Sequence, residues 1–258
     1  MIAVGPILVF LLLVAPGVRL LTLATRTRER PEFWGGLYFI GASIGLPMRL
    51  VGSALYATRP ELADTFNTIG HLSFAAGTIA MMIFTLHVFH PQSSRARIFA
   101  AVTIATIVAT SIHTLWGGFT SIENSYSMVM TNFTRLIPTS WAFYESLRYY
   151  VSMRRRQALD LADPIVTNRF LLWSIWTGAV TLLPLIALLL RTIGILSLGN
   201  ESYNTGLHAQ IISNILTGVR ILFVVIAPIA AVALSLSFFA PRLYTDRIRA
   251  RSARTELA

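Results

Sequence analysis

The sequence predicts an all-α integral membrane protein, a seven-transmembrane helix bundle with its N-terminus outside and its C-terminus cytoplasmic. Three observations carry that expectation. Of the 258 residues, 55% are hydrophobic and only 12% are charged, against about 25% charged in soluble domains. Apolar runs long enough to cross a hydrocarbon core recur along the chain. Arginine collects at alternate ends of those runs.

The last run sets the scale. Ile221 to Ala240 holds no charge, histidine or amide between Arg220 and Pro241-Arg242, and at 1.5 Å per residue about 20 residues cross about 30 Å. By that measure spans fall at about 2–23, 34–56, 66–89, 98–119, 130–153, 170–190 and 210–240 within a single domain, 1–258, leaving 241–258 as a short basic cytoplasmic tail. The first span resembles a secretory signal in its apolarity. Its basic residues Arg26, Arg28 and Arg30 follow the apolar run instead of preceding it, so an uncleaved span is expected.

Orientation follows from the arginines. Arg26, Arg28 and Arg30 lie after the first span, Arg95 and Arg97 after the third, Arg148, Arg154, Arg155, Arg156 and Arg169 around the connection after the fifth, and Arg242, Arg247, Arg249, Arg251 and Arg254 in the tail. The alternate connections hold Arg59 with Glu61, Asp64, Glu123 and Glu201. A positive-inside reading therefore places the protein in a bacterial cytoplasmic membrane, with its basic face toward anionic lipid. The net charge of +10 is a topology signal, and nucleic acid is not an expected partner. All 21 basic residues are arginine; drift in a GC-rich genome or deliberate replacement accounts for a lysine-free chain. With no cysteine there is no disulfide and no thiolate metal site.

Seven spans in this orientation resemble the topology of microbial rhodopsins and G-protein-coupled receptors, but the residues of neither family are present. A retinal Schiff base needs a lysine amine, so no covalent retinal is expected. The third span ends in TLHVFHP without an acid-arginine pair, and the seventh in FFAPRLY without an Asn-Pro turn. Topology by itself carries no function.

Polar residues inside the bilayer are the better guide, because each costs several kcal/mol unless paired or wetted. Arg49 lies in the second span, roughly 10 Å from its outer end by the helix rise, and His113 at similar depth in the fourth. Arg135 is placed in the first turns of the fifth span, and His71, Arg191, His208 and Arg220 at or near the outer ends of the third, sixth and seventh. Few acids stand opposite them. The expected site is an outward-facing electropositive pocket built from Arg49, Arg135, Arg191 and Arg220 with His71, His113 and Trp141 nearby, taking a small anionic or amphipathic ligand. Arg49 and Arg191 sit toward C-terminal helix ends, where the macrodipole accommodates a cation; Arg135 and Arg220 sit toward N-terminal ends and call for an anionic partner.

Other residues open other routes. His71 and His113, at matching depth on consecutive spans, are candidate ligands for a haem or a metal ion, which would make the chain an electron-transfer protein or a membrane enzyme. His87 and His90 lie one turn apart before Pro91 and read as interfacial. Glu145, the one acid well inside a span, stands three residues before Arg148, so an ion pair or a switch is expected. No hydrolase constellation or phosphate loop is present. Pro47, Pro138, Pro184 and Pro228 interrupt four spans, and Gly41-x3-Gly45 with Ser73-x3-Gly77 permits close helix contact within the bundle or between copies in a homo-oligomer. Trp141, Trp173 and Trp176 line a pocket or pack as aromatics. The stretch SMRRRQALDLADP continues the fifth span beyond the membrane and stops near Asp163-Pro164, where a cytoplasmic protein is able to dock. The leading expectation is thus a receptor-like signalling sensor, with a carrier and a structural subunit of a membrane complex as further alternatives.

Overall fold

In a computed structural model of the chain, the structure describes residues 4–55, 58–117, 123–198, 226, 229–239, 244 and 248. Among them there is no strand. Six long helices run in order: α1 (Val4–Thr27), α2 (Arg30–Leu55), α3 (Pro60–Phe89), α4 (Ser94–Gly117), α5 (Glu123–Gln157) and α6 (Pro164–Leu198). A shorter apolar helix occupies Ile229–Phe239. Five of them are long and apolar enough to cross a membrane, through Phe10–Thr27, Arg30–Leu55, Pro60–Phe89, Ser94–Trp116 and Pro164–Ile186. The rest of the expected seventh span lies outside the described residues.

The helices run further than their apolar stretches. α3 begins six residues before the expected 66, with Pro60 in its first turn and Glu61 beside it. Both are start signals: proline lacks only an N–H that has no helical partner there, and an acid suits the helix N-terminus. α6 begins at Pro164 instead of 170, because the Asp163 carboxylate accepts the Ile165 N–H at 2.8 Å and its carbonyl accepts the Thr167 N–H. α5 continues to Gln157 through Arg154, Arg155 and Arg156. The chain then turns, with Asp160 in the left-handed region at φ 56°. These additions carry Glu61, Asp64, Arg154, Arg155, Arg156 and Arg169, so the uncharged apolar runs end short of them.

The chain divides into two compact units, 1–139 and 140–258. In the first, α2 packs against both α1 and α3, and α3 packs against α4. The α2–α3 contact is backbone against backbone. A Cβ placed on Gly41 would stand 2.6 Å from the Ser73 carbonyl oxygen and 2.7 Å from Gly77 Cα, and one on Gly45 2.9 Å from the Gly70 carbonyl oxygen. The small residues expected to permit close approach do so inside the unit. Phe39, Met81, Met82 and Thr85 fill its fully buried centre. Ile107 and Thr114 are buried on α4, whose Thr110 hydroxyl meets that of Thr134 on α5 at 3.3 Å.

The second unit contains α5 from Ser140, α6 and the Ile229–Phe239 helix. Tyr149 meets Phe170 at 5.5 Å, and Trp173 meets Phe238 edge-on at 5.8 Å. The Asn168 amide donates to the Tyr244 hydroxyl at 2.8 Å. In both units large apolar side chains face outward, among them Ile7, Leu11 and Val18 on α1, Ile98, Val102 and Trp116 on α4, and Leu182 and Leu189 on α6. Such a surface suits hydrocarbon better than water, where apolar patches of this extent are rare.

Candidate functional site: a buried guanidinium in the first unit

Arg49, His71 and Arg135 come together. Arg49 stands six residues before the end of α2, His71 eleven residues into α3, and Arg135 twelve residues into α5. The end of α2 and the first halves of α3 and α5 therefore supply the site. Arg135 is only 4% exposed and His71 only 2%. The Arg135 Nη2 donates to the His71 carbonyl oxygen at 3.1 Å, and its guanidinium lies over the Phe74 ring at 5.3 Å. Its Nε and Nη1 have no hydrogen-bond partner among the described residues. The charges of Arg49 and Arg135 both act on His71, and that of Arg49 also acts on Arg135.

Two missing side chains make room for this arrangement. A Cβ on Gly70 would lie 2.8 Å from Arg49 Cγ, so the arginine stem crosses α3 where α3 has no side chain. A Cβ on Gly52 would lie 2.7 Å from the Asn67 amide atoms, so the amide rests on α2 where α2 has none. Asn67 is 7% exposed, and its Nδ2 also lacks a hydrogen-bond partner among the described residues. Buried donors of this kind cost about 1–3 kcal/mol each when unmet, and more when charged. Arg135 thus brings two unmet guanidinium nitrogens to the cluster, and Asn67, one turn before His71 on α3, has one unmet amide nitrogen among the described residues.

The deeper placement of Arg135 changes the electrostatic argument. Because α5 starts at Glu123, Arg135 is not in its first turns, and the helix dipole fades beyond the terminal turn. Burial and the charge of Arg49, not the helix end, set the electrostatics at Arg135. Asn67, Gly52, Gly70 and Phe74 went unmarked in the sequence. Asn67, His71, Phe74 and Thr78 follow at spacings of four, three and four, which places them on one face of α3; that spacing was the available signal.

The remaining expected site residues stand elsewhere. His113 is on an exposed side of α4, whereas His71 is buried. Trp141 is half-buried on α5 in the second unit. Arg191 lies within α6, and its side chain is outside the described residues, as are Arg220 and His208 altogether. Glu145 is 4% exposed, with one carboxylate oxygen 3.8 Å from the Arg148 guanidinium, so the i,i+3 pair forms loosely. Among the described residues no three His, Asp or Glu side chains group together in a way that would hold a metal ion.

Comparison with protein-family models, with curated proteins and with solved structures finds no match to this chain. The site's own chemistry is therefore the basis for any functional reading.

Proposed function

We propose that the protein is a receptor-like membrane sensor that binds a small anion, or an amphiphile with an anionic head, at Arg135. In this reading the chain crosses the bacterial cytoplasmic membrane seven times with its N-terminus outside, and the Arg49–His71–Arg135 cluster opens to the outer side. A cytoplasmic protein would read the state of the α5–α6 connection. The observation that carries the proposal is the buried Arg135 guanidinium, whose Nε and Nη1 have no partner among the described residues. Guanidinium offers five N–H donors in a planar fork matched to carboxylate and phosphate. The Phe74 ring beside the guanidinium supplies an apolar wall, which suits an anionic head with a carbon tail.

Calorimetric titration of the protein in a neutral maltoside detergent tests this with two probes: inorganic phosphate, which is charge alone, and hexanoate, which adds a short tail. Saturable binding of either probe, weakened at least tenfold by Arg135→Met, supports the proposal, and the stronger probe tells free anion from amphiphile. Binding of neither, or equal binding by the variant, overturns it.

A further inference from the structure

A second surface, at the other end of α5, has the character of a lipid site. A groove of about 530 Å³ runs along one side of α5 and is lined by Tyr144, Leu147, Arg148, Val151, Ser152, Arg155 and Arg156. At 3.6 residues per turn these positions form one continuous face, about 16 Å long from Tyr144 to Arg155. Its chemistry changes along the helix. Tyr144, Leu147 and Val151 are apolar and exposed at the upper end. Arg155 and Arg156 stand exposed in the last turn. Arg148 stands within that stretch, between Leu147 and Val151, with 64% of its side chain exposed and a loose contact to Glu145.

We infer that this groove binds one phospholipid with an anionic headgroup, its phosphate against Arg155 and Arg156 and its acyl chains along Val151, Leu147 and Tyr144. The apolar half decides between lipid and protein. An acidic soluble partner would satisfy the arginines but would leave the exposed apolar side chains above them uncovered. A phospholipid presents an anionic head and apolar chains in the same order as the groove. Basic residues beside a membrane each attract anionic lipid by about 1 kcal/mol, and a guanidinium meets a phosphate through a fork of donors. Arg148, about two turns higher, adds positive charge to the same face. This site does not depend on the anion site at Arg135.

The inference is tested by native mass spectrometry of the full chain released from neutral detergent after titration with phosphatidylglycerol or phosphatidylcholine. The wild type is expected to retain one phosphatidylglycerol at least tenfold more tightly than phosphatidylcholine. The double variant Arg155→Gln/Arg156→Gln should lose that preference, while Arg154→Gln, which lies outside the groove, should keep it. Arg148→Gln is the second variant and should weaken the preference by a smaller factor. Equal retention of the two lipids overturns the inference, as does a double variant that behaves like Arg154→Gln. Displacement of phosphatidylglycerol by a polyglutamate peptide at micromolar concentration would assign the groove to an acidic protein instead.

Discussion

Replacing Gly41 with alanine should break the closest helix contact in the first unit. The new methyl would sit 2.6 Å from the Ser73 carbonyl oxygen, where ordinary contact begins at 3.4 Å, so α2 and α3 must part by about 0.8 Å. Both near neighbours, that oxygen and Gly77 Cα, are backbone atoms, and no side-chain rotation relieves the clash. Overpacking of this kind costs about 1–3 kcal/mol, outweighing the gain of about 1 kcal/mol that alanine brings to a helix interior. Gly35→Ala is the matched comparison. Its methyl would meet only Leu20 Cδ1 and the Phe84 ring at 3.3 Å, which are side-chain atoms able to yield. Unfolding by sodium dodecyl sulfate in maltoside micelles, followed by far-ultraviolet circular dichroism, should show a clear loss of stability for Gly41→Ala and a change within about 1 kcal/mol for Gly35→Ala. Equal stability of Gly41→Ala and wild type would refute the close-packed α2–α3 contact; equal damage by both would refute its attribution to backbone approach.

Three further outcomes are expected. Arg135→Met should melt no lower than the wild type in the absence of added anion, since an apolar side chain of similar length removes a buried charge that has no ion-pair partner among the described residues; a large fall in melting temperature would mean that the guanidinium is fully satisfied within the protein. Ile107→Ala, at a position with no exposure, should cost about 2–5 kcal/mol, and Val102→Ala, 61% exposed on the same helix, about 0.5 kcal/mol or less, both read as shifts in the detergent unfolding midpoint. Asp163→Ala removes the acceptor of the Ile165 N–H and should cost about 0.5–2 kcal/mol, with earlier hydrogen exchange at residues 165–167 and little change in α3.

The helical class and the apolar stretches were legible because hydrocarbon thickness imposes a length on them. Helix ends were not, for a related reason. Pro60 to Thr65, Arg154 to Gln157 and Pro164 to Arg169 carry the helices onward through charged positions, held by hydrogen bonds that hydropathy does not register. The capping residues were readable all the same: Pro60, Asp163 and Pro164 each announce an end. Arg49, His71 and Arg135 were legible as polar residues in apolar stretches, but Arg135 was expected in the first turns of its span and stands twelve residues into α5. Direction around the helix was not legible. His113 stands on an exposed side of α4, because a position along the axis leaves rotation open. Asn67 escaped notice as a neutral amide, although its spacing from His71 sets both on one face. Gly52 and Gly70 escaped because a missing side chain acquires meaning only once Asn67 and Arg49 are seen to lie across it. Gly41-x3-Gly45 and Ser73-x3-Gly77, by contrast, were readable as close-contact positions from spacing, which left open whether they meet within the bundle or between copies.

The central claim is that the buried Arg135 guanidinium is completed by an anion. The most direct measurement is the anomalous signal from crystals of the protein grown with 6-bromohexanoate. A bromine peak within about 10 Å of the Arg135 guanidinium, the reach of such a chain from a carboxylate held by a charge-assisted hydrogen bond, is the result the account predicts. A map with no peak there, and with Nε and Nη1 of Arg135 meeting a carboxylate of the chain itself, would contradict it.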